Sequence, residues 1–222
     1  MDLSKFIDHT KLGHNVNVNQ INKLVEEAIK YNFKSVCVNP TFVSHVSKKL
    51  KDTDVCVCTV IGFPHGQHIP EVKSYEAEKA INDGADELDM VLNLNNVYER
   101  NEKKILLDIQ SVLKKTNGKI LKVIIETCYL SDEEIKYVSN LVMKSGAHFV
   151  KTSTGFGTSG ASHHDIKLIK SIVGDNCKIK ASGGIKDYKD AIKYIDLGVN
   201  RIGTSKGVVI VTGKEDSNDS TY

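Results

Sequence analysis

Eight short apolar segments rich in β-branched residues recur along the chain, and an amphipathic segment follows each of the first seven. A short apolar run between polar or glycine-containing segments is typical of a buried strand, whereas apolar residues spaced three and four apart are typical of a helix. Residues 21–32 show the helical spacing, with apolar side chains at positions 21, 24, 25, 28 and 29. The predicted strands are residues 6–9, 35–39, 55–63, 87–93, 121–127, 148–153, 177–182 and 199–204.

This alternation indicates a parallel sheet, and eight strands separated by helices predict a single (β/α)8 TIM barrel. An open doubly wound sheet is the alternative, but no GxGxxG turn follows the first predicted strand. The 222 residues suffice for one barrel and contain no break in composition that would mark a linker. We therefore expect a catalytic domain over residues 1–211 and a polar, mobile C-terminal tail over residues 212–222.

Charge and composition exclude several classes of protein. The net charge of +2 and the lack of a basic stripe argue against a nucleic-acid partner. No run of 18 apolar residues is present, so the sequence predicts no membrane span. The five cysteines form an odd number and lie mostly in predicted strands, which indicates reduced thiols in a cytoplasmic protein. Cys56 and Cys58 have no second cysteine pair with which to form a zinc site.

Two lysines occur on neighbouring predicted strands, Lys151 on the sixth and Lys180 on the seventh. A lone lysine at a strand end usually extends to solvent or pairs with a carboxylate. Two buried lysines, however, disfavour each other's charge, and Asp89 on the fourth strand can keep one charged while the other stays neutral. A neutral lysine in a dry pocket is the nucleophile of Schiff-base chemistry on a carbonyl group. The three residues together predict such a site.

Glycine-rich segments follow the last two predicted strands. They read SGGI at 182–185 and GTSKG at 203–207. Barrels often bind phosphate after strands seven and eight, and glycine allows backbone amides to approach an anion closely. With a Schiff-base lysine nearby, these segments predict a phosphorylated sugar or aldehyde as the substrate.

The same segments resemble the deoxyribose-phosphate aldolase family, in family order and across essentially the whole chain. The resemblance implies a class I aldolase that reversibly cleaves 2-deoxy-D-ribose 5-phosphate to D-glyceraldehyde 3-phosphate and acetaldehyde, with no metal or other cofactor. It also implies a cytoplasmic homo-oligomer, dimeric or tetrameric. The matching segments are IDHT (7–10), SVCVNP (35–40), TVIGFPHG (59–66), ADELDMVLN (85–93), VIIET (123–127), FVKTSTGF (149–156), KIKASGGI (178–185) and RIGTSKGVVIV (201–211).

The resemblance implies a role for individual residues. Lys151 would form the Schiff base, Lys180 would adjust its reactivity and relay protons, and Asp89 would exchange protons with Lys180. The family pattern is not matched everywhere: Phe156 stands where some longer members carry lysine, and Lys206 adds a cation beside the second glycine-rich segment. Further residues matched to the family are Asp8, Thr10 and Tyr222 near the proton relay and Thr152, Thr154, Gly183, Gly184, Thr204 and Ser205 as contacts of substrate and phosphate.

Four alternatives remain open on the sequence. One is another Schiff-base barrel aldolase, such as a transaldolase, and a second is a non-catalytic barrel that binds phosphosugars. A third is a barrel isomerase, although that reaction favours a carboxylate base over paired lysines. The fourth is a metal-dependent aldolase, which needs several histidines around one divalent ion. His65 and His68 lie in a loop rich in glycine and proline, where solvated side chains are the simpler interpretation.

Overall fold

The computed structural model describes residues 2–214, and a closed barrel of eight parallel strands lies at its centre. Each strand pairs with the next in sequence, and the eighth pairs with the first, so the sheet has no edge. This arrangement confirms the predicted (β/α)8 barrel. The strands are β1 Ile7–Lys11, β2 Ser35–Val38, β3 Cys56–Ile61, β4 Glu87–Val91, β5 Ile120–Ile124, β6 Phe149–Lys151, β7 Lys178–Ser182 and β8 Arg201–Thr204.

The helices lie outside the barrel, and each of the seven predicted amphipathic segments forms one of them. Their apolar faces pack against the strands, as the spacing of apolar residues requires. The helices are α1 Val18–Lys30, α2 Val43–Leu50, α3 Pro70–Asn82, α4 Leu94–Tyr98, α5 Glu102–Leu113, α6 Asp132–Lys144, α7 His163–Val173, α8 Tyr188–Asp196 and α9 Gly207–Thr212.

Local sequence fixes where the longer helices begin. At α1, the Asn17 side chain accepts a hydrogen bond from the Gln20 amide, and the Gln20 side chain accepts one from the Asn17 amide. At α6, Ser131 and Glu134 form the same reciprocal pair. Each pair satisfies two backbone groups that a helix start leaves without intrahelical partners.

The two short helices α4 and α9 were not predicted. α4 has only five residues, too few to show a helical period. The sequence of α9, GVVIVT, is β-branched and resembles a strand, but the closed barrel offers no edge on which another strand could pair. Gly207 begins this helix close to β1, where an added Cβ would lie 2.8 Å from Nδ1 of His9 and 3.0 Å from Cγ2 of Ile7.

A buried ion pair outside the barrel fixes the end of β4. The Nζ atom of Lys73, on α3, donates to Asp108 on α5 at 2.7 Å and to the Val91 carbonyl at 2.9 Å. Asp108 also accepts a hydrogen bond from the Asn93 amide at 3.2 Å. The pair therefore joins two helices to the segment that follows Asp89.

All five cysteines are free thiols, and Cys37, Cys58 and Cys177 are buried, as their positions in predicted strands indicated. Within residues 2–214, no helix is both long and apolar enough to cross a membrane. The division into a domain at 1–211 and a tail at 212–222 stays a prediction. α9 ends at Thr212, and Tyr222 lies outside the described residues.

Candidate active site

Seven ionisable side chains with short contacts to one another fill the middle of the barrel. None of the seven residues is more than 5% exposed, which is unusual for residues that carry charge. We call these seven residues the ion cluster. They are Asp8 on β1, Glu87 and Asp89 on β4, Lys122 on β5, Lys151 on β6, Lys180 on β7 and Arg201 on β8.

Asp89 is the shared partner of three lysines. One carboxylate oxygen, Oδ2, accepts hydrogen bonds from Nζ of Lys151 and Nζ of Lys180, both at 2.8 Å. The other oxygen, Oδ1, accepts from Nζ of Lys122 at 2.8 Å and from the Cys58 thiol at 3.3 Å. The neighbouring strands β6 and β7 place Lys151 and Lys180 in register, which explains how both reach one oxygen. The predicted convergence of Lys151, Lys180 and Asp89 is therefore present in the structure.

A second set of contacts extends the ion cluster away from Lys151. Arg201 donates from Nη2 to Oε1 of Glu87 at 2.6 Å, and it also donates to Asp8. Nζ of Lys122 lies 2.7 Å from Oε2 of Glu87. Asp8 accepts from Lys180 as well, so it lies inside the cluster as the sequence suggested.

The ion cluster shifts the pKa values of its members strongly. Burial alone would raise the pKa of Asp89, but the charges of Lys122, Lys151 and Lys180 outweigh it and hold that pKa well below its usual range. Burial likewise opposes the charge of Lys180, yet Asp8 and Asp89 raise its pKa above the usual value. The pKa of Lys122 is also raised well above normal, because its carboxylate partners outweigh burial.

Among the described residues, the three lysines differ in their carboxylate partners. Lys151 has one carboxylate partner within 4 Å, Asp89. Lys180 has two, and Lys122 has three. Lys151 also retains 3% exposure, whereas the other two lysines are fully buried. It is therefore the lysine that loses the fewest ion-pair contacts when it gives up its proton.

Glu126 and Thr154 form a hydrogen-bonded pair beyond Lys151, at the C-terminal ends of β5 and β6. The Glu126 carboxylate accepts from the Thr154 amide at 3.1 Å and from the Thr154 hydroxyl. Glu126 has φ of 48°, in the left-handed region. Burial raises the pKa of its carboxyl group, although Thr154 and Lys151 act in the opposite direction.

The Phe156 ring lies across the mouth of the barrel. It meets the Phe63 ring edge to face, with 5.3 Å between centroids, and the His14 ring at 5.7 Å. Phe156 follows β6, Phe63 follows β3 and His14 follows β1. In this closed barrel, β6 is three strands away from β3 in one direction and three strands away from β1 in the other. A side chain that touches both loops must cross above the barrel opening, the end at which Lys151 lies.

Two clefts open on either side of Phe156. One, of about 270 Å³, is lined by residues that include Tyr98, Glu126 and Thr154. The other, of about 310 Å³, is lined by residues that include Asn39 and Phe63. Lys151 lines neither of these two clefts.

The glycine-rich segments lie side by side at the same end of the barrel. Gly183 and Gly184 both have φ of 83°, a conformation that favours glycine. A Cβ atom added at Gly184 would meet nothing within 4 Å, so the space beside its backbone is open. The Thr204 hydroxyl donates to the Ile185 carbonyl at 2.8 Å and thereby ties the two segments together. Ser205 follows it and is half-buried.

Two predicted site threonines have their hydroxyl groups bonded to the barrel wall. The Thr152 side chain is fully buried, and its hydroxyl donates to the Ser182 carbonyl at 3.3 Å and accepts from the Ser182 amide at 3.2 Å. The Thr10 hydroxyl donates to the Asp8 carbonyl at 2.8 Å. Thr152 therefore joins β6 to β7, and Thr10 lies on the strand that carries Asp8.

Within residues 2–214, one group of His, Cys, Asp and Glu side chains is compact enough to share a metal ion. Its members are Cys37, Cys58 and Asp89, with ligand atoms within 4.8 Å of one another, and it contains no histidine. The amine of Lys122 lies 3.4 Å from Cys58 and 2.8 Å from Asp89. Three lysines around one carboxylate create a field that repels a divalent cation.

A family model described as DeoC/LacD family aldolase matches residues 3–211. The chain belongs to the DeoC/LacD aldolase family. It is accordingly an aldolase, a carbon–carbon lyase, and the resemblance seen in the sequence is confirmed.

Curated relatives of this DeoC/LacD aldolase carry a more specific name. A protein of Acholeplasma laidlawii named deoxyribose-phosphate aldolase is 49% identical over 222 residues, which covers 100% of both chains. A protein of Staphylococcus carnosus with the same name is 47% identical over 219 residues, covering 99% of this chain and 100% of the relative.

A solved structure gives the same result for the fold. The deoxyribose phosphate aldolase of Aeropyrum pernix, whose structure is described as tetrameric, superposes with a TM-score of 0.87 at 32% identity. The match covers 94% of this chain and 89% of that one.

Three charged residues of this DeoC/LacD aldolase site were not predicted from the sequence: Glu87, Lys122 and Arg201. Two signals in the sequence could have revealed them. Glu87 precedes Asp89 by two residues, so both side chains point to the same side of β4. Lys122 and Arg201 stand inside predicted strands, as Lys151 does, and an ionised group there requires a buried partner.

Proposed function

We propose that this chain is a class I deoxyribose-phosphate aldolase that reversibly cleaves 2-deoxy-D-ribose 5-phosphate to D-glyceraldehyde 3-phosphate and acetaldehyde, with Lys151 as the Schiff-base residue. The main support is the buried contact of Lys151 with a carboxylate, Asp89, that it shares with Lys180. The names of full-length relatives at 47% and 49% identity support the choice of substrate.

Charge balance supports Lys151 over the other two lysines as the nucleophile. The ion cluster holds three carboxylates and four cationic groups, so full ionisation leaves one positive charge in excess. An uncompensated charge in a buried site is unfavourable. Loss of a proton from Lys151 removes the excess and sacrifices a single ion-pair contact. A neutral amine then lies nearest the barrel mouth.

The reaction follows from this charge state. The neutral amine of Lys151 attacks the C1 aldehyde of the open-chain sugar, and loss of water gives a protonated imine. The imine nitrogen accepts the electron pair of the C2–C3 bond as the 3-hydroxyl group loses its proton and D-glyceraldehyde 3-phosphate leaves. The resulting enamine takes a proton at C2, and water then releases acetaldehyde. Asp89, which contacts the Lys151 amine, and Lys180, which binds the same oxygen of Asp89, are the groups we assign to proton transfer.

The two glycine-rich segments are the phosphate site in this proposal. The open space beside Gly184 allows an anion to approach the backbone amides, and the Thr204 contact holds the second segment against the first. Ser205 supplies a hydroxyl donor, and Lys206 adds positive charge. Thr154 is the threonine best placed to touch the sugar, because it lines a cleft at the mouth. Thr152 acts indirectly, by joining β6 to β7.

We also propose that the enzyme is a homo-oligomer, which the tetrameric description of the Aeropyrum pernix relative supports. Light scattering coupled to gel filtration measures this directly. The cytoplasmic location and the participation of Tyr222 stay predictions from the resemblance.

Borohydride reduction in the presence of 2-deoxy-D-ribose 5-phosphate tests the proposed function. We expect a reduced two-carbon adduct on the peptide that contains Lys151, formed equally well with and without EDTA. An adduct on Lys180 instead would reverse the two lysine roles. A five-carbon adduct without any release of acetaldehyde would indicate binding without cleavage. Turnover that EDTA abolishes, with no adduct, would favour the metal-dependent alternative.

Phe156 provides a separate test of the route to Lys151. We expect Phe156→Ala to lower kcat/KM about three- to tenfold, because an aromatic pair contributes about 0.5–1.5 kcal/mol and this ring shields the imine from water. Phe156→Tyr keeps the ring and should behave like the unmodified enzyme. Steady-state kinetics of all three proteins measures the effect, and an unchanged kcat/KM in Phe156→Ala would show that the ring does not cover the reacting complex.

A further inference from the structure

We infer that Lys122 is a positioning residue that, with Glu87, sets the charge state of Lys151. This inference rests on the proposed function, in which the neutral amine of Lys151 attacks the substrate. Lys122 itself is fully buried and lies on the far side of Asp89 from Lys151, so it acts through that carboxylate.

The geometry makes Lys122 a strong influence on Lys151. The two amines bind opposite oxygens of Asp89, each at 2.8 Å, so only one carboxylate group separates them. A cation at this distance in a buried site disfavours a second cation by a large amount. Lys122 keeps its own charge because Glu87 lies 2.7 Å away and Asp89 lies 2.8 Å away. It is a fixed positive charge beneath the nucleophile.

Glu87 has the opposite effect on the same amine. Its carboxylate contacts Lys122 and Arg201 and makes no ion pair with Lys151 among the described residues. Its negative charge nevertheless favours a protonated Lys151. Lys122 and Glu87 are thus two adjacent groups of opposite sign, and either one can be neutralised without removing a contact of Lys151.

The barrel interior around Lys151 holds charged and titratable groups, and the two substitutions leave all of them except Lys122 and Glu87 in place. Each of the other seven strands supplies at least one such group. They are Asp8 from β1, Cys37 from β2, Cys58 from β3, Glu87 and Asp89 from β4, Lys122 from β5 with Glu126 at its end, Lys180 from β7 and Arg201 from β8.

The signs of the expected effects separate this role from a purely structural one. Neutralising Lys122 removes a repulsion, so Lys151 holds its proton to a higher pH. Neutralising Glu87 removes an attraction, so Lys151 loses its proton at a lower pH. A residue that only supports packing has no reason to produce opposite shifts from two neighbouring substitutions.

The experiment measures the rate of cyanoborohydride trapping with acetaldehyde as the probe, from pH 5 to pH 10, with mass mapping of the labelled lysine. The rate should rise with pH as Lys151 loses its proton. We expect this rise to move up by about one pH unit in Lys122→Met and down by about one unit in Glu87→Gln. The double variant Lys122→Met/Glu87→Gln should return close to the unmodified profile.

Lys73→Met is the matched control, because Lys73 is also fully buried and paired with a carboxylate, Asp108, but lies outside the barrel. It should lower stability and leave the pH profile unchanged.

Shifts in the same direction, or no shift, from the two single variants would overturn the inference. Should Lys122→Met fail to fold, Glu87→Gln decides alone: a downward shift supports the inference, and no shift or an upward shift overturns it. Absence of label on Lys151 in the unmodified enzyme at every pH would refute the proposed function instead.

Discussion

Replacing Lys151 by methionine will reduce cleavage of 2-deoxy-D-ribose 5-phosphate by at least about 10⁴-fold, the scale observed when the nucleophile of a covalent enzyme is removed. The methionine side chain has similar length and bulk, but it has no amine with which to form an imine. The ion cluster retains three cationic groups and three carboxylates, so its charges stay balanced. We therefore expect a folded protein with an unfolding transition close to that of the unmodified chain.

Two further variants test whether the loss of turnover is specific to Lys151. Lys178→Met removes an exposed lysine two residues before Lys180 on β7, and it should leave turnover unchanged. Lys180→Met should lower turnover but still allow borohydride trapping on Lys151. The measurement is a coupled assay of D-glyceraldehyde 3-phosphate release, together with mass mapping of trapped peptides. Activity of Lys151→Met within about tenfold of the unmodified enzyme, with label on Lys180, would show that the nucleophile is Lys180.

Much of the fold and the centre of the site could be predicted from the sequence, because both depend on local patterns. Eight alternating strand and helix patterns are enough to specify a closed barrel. The ends of parallel strands in a barrel converge, so Asp8, Asp89, Lys151 and Lys180 were expected to lie together, and the structure brings them into contact.

Other features depend on information that strand ends do not provide. Lys122 lies inside a strand and is therefore not one of the polar residues at strand ends, although an ionisable residue among apolar neighbours is the stronger signal of a buried site. Thr152 was grouped with the residues beside it as a substrate contact, but side chains alternate along a strand, and Lys151 already occupies the inner face. The position of the Phe156 ring above the mouth depends on the path of a loop, which no periodic pattern specifies.

Replacing Asp89 by asparagine is expected to affect both stability and turnover. The substitution leaves Asp8 and Glu87 to compensate four cationic groups in the closed barrel interior. Breaking a buried ion pair in this way lowers the free energy of unfolding by about 3–5 kcal/mol. Turnover should fall by about 10²- to 10⁴-fold, the usual contribution of a general acid–base group.

The pH dependence of this loss follows from the pKa of Asp89, which the three lysines hold well below its usual range. A carboxyl group whose pKa is lowered in the folded state stabilises the protein at any pH above the pKa that the group has in the unfolded chain, near 4. This contribution is lost as the pH falls through the pKa of the group in the folded protein. The stability difference between the unmodified chain and Asp89→Asn should therefore be largest at neutral pH and should shrink in acid. Urea unfolding at several pH values measures it.

Asp175→Asn is the control for the same chemical change, because the Asp175 side chain is fully exposed and pairs only with Lys170 in the described part of the chain. It should alter neither stability nor turnover. In Asp89→Asn, by contrast, acetaldehyde and borohydride should still label Lys151, because the amine remains. Cleavage is lost, because the proton transfers that follow imine formation lack their carboxylate. Full turnover in a folded Asp89→Asn protein would remove Asp89 from the mechanism and would leave it a structural partner of the three lysines.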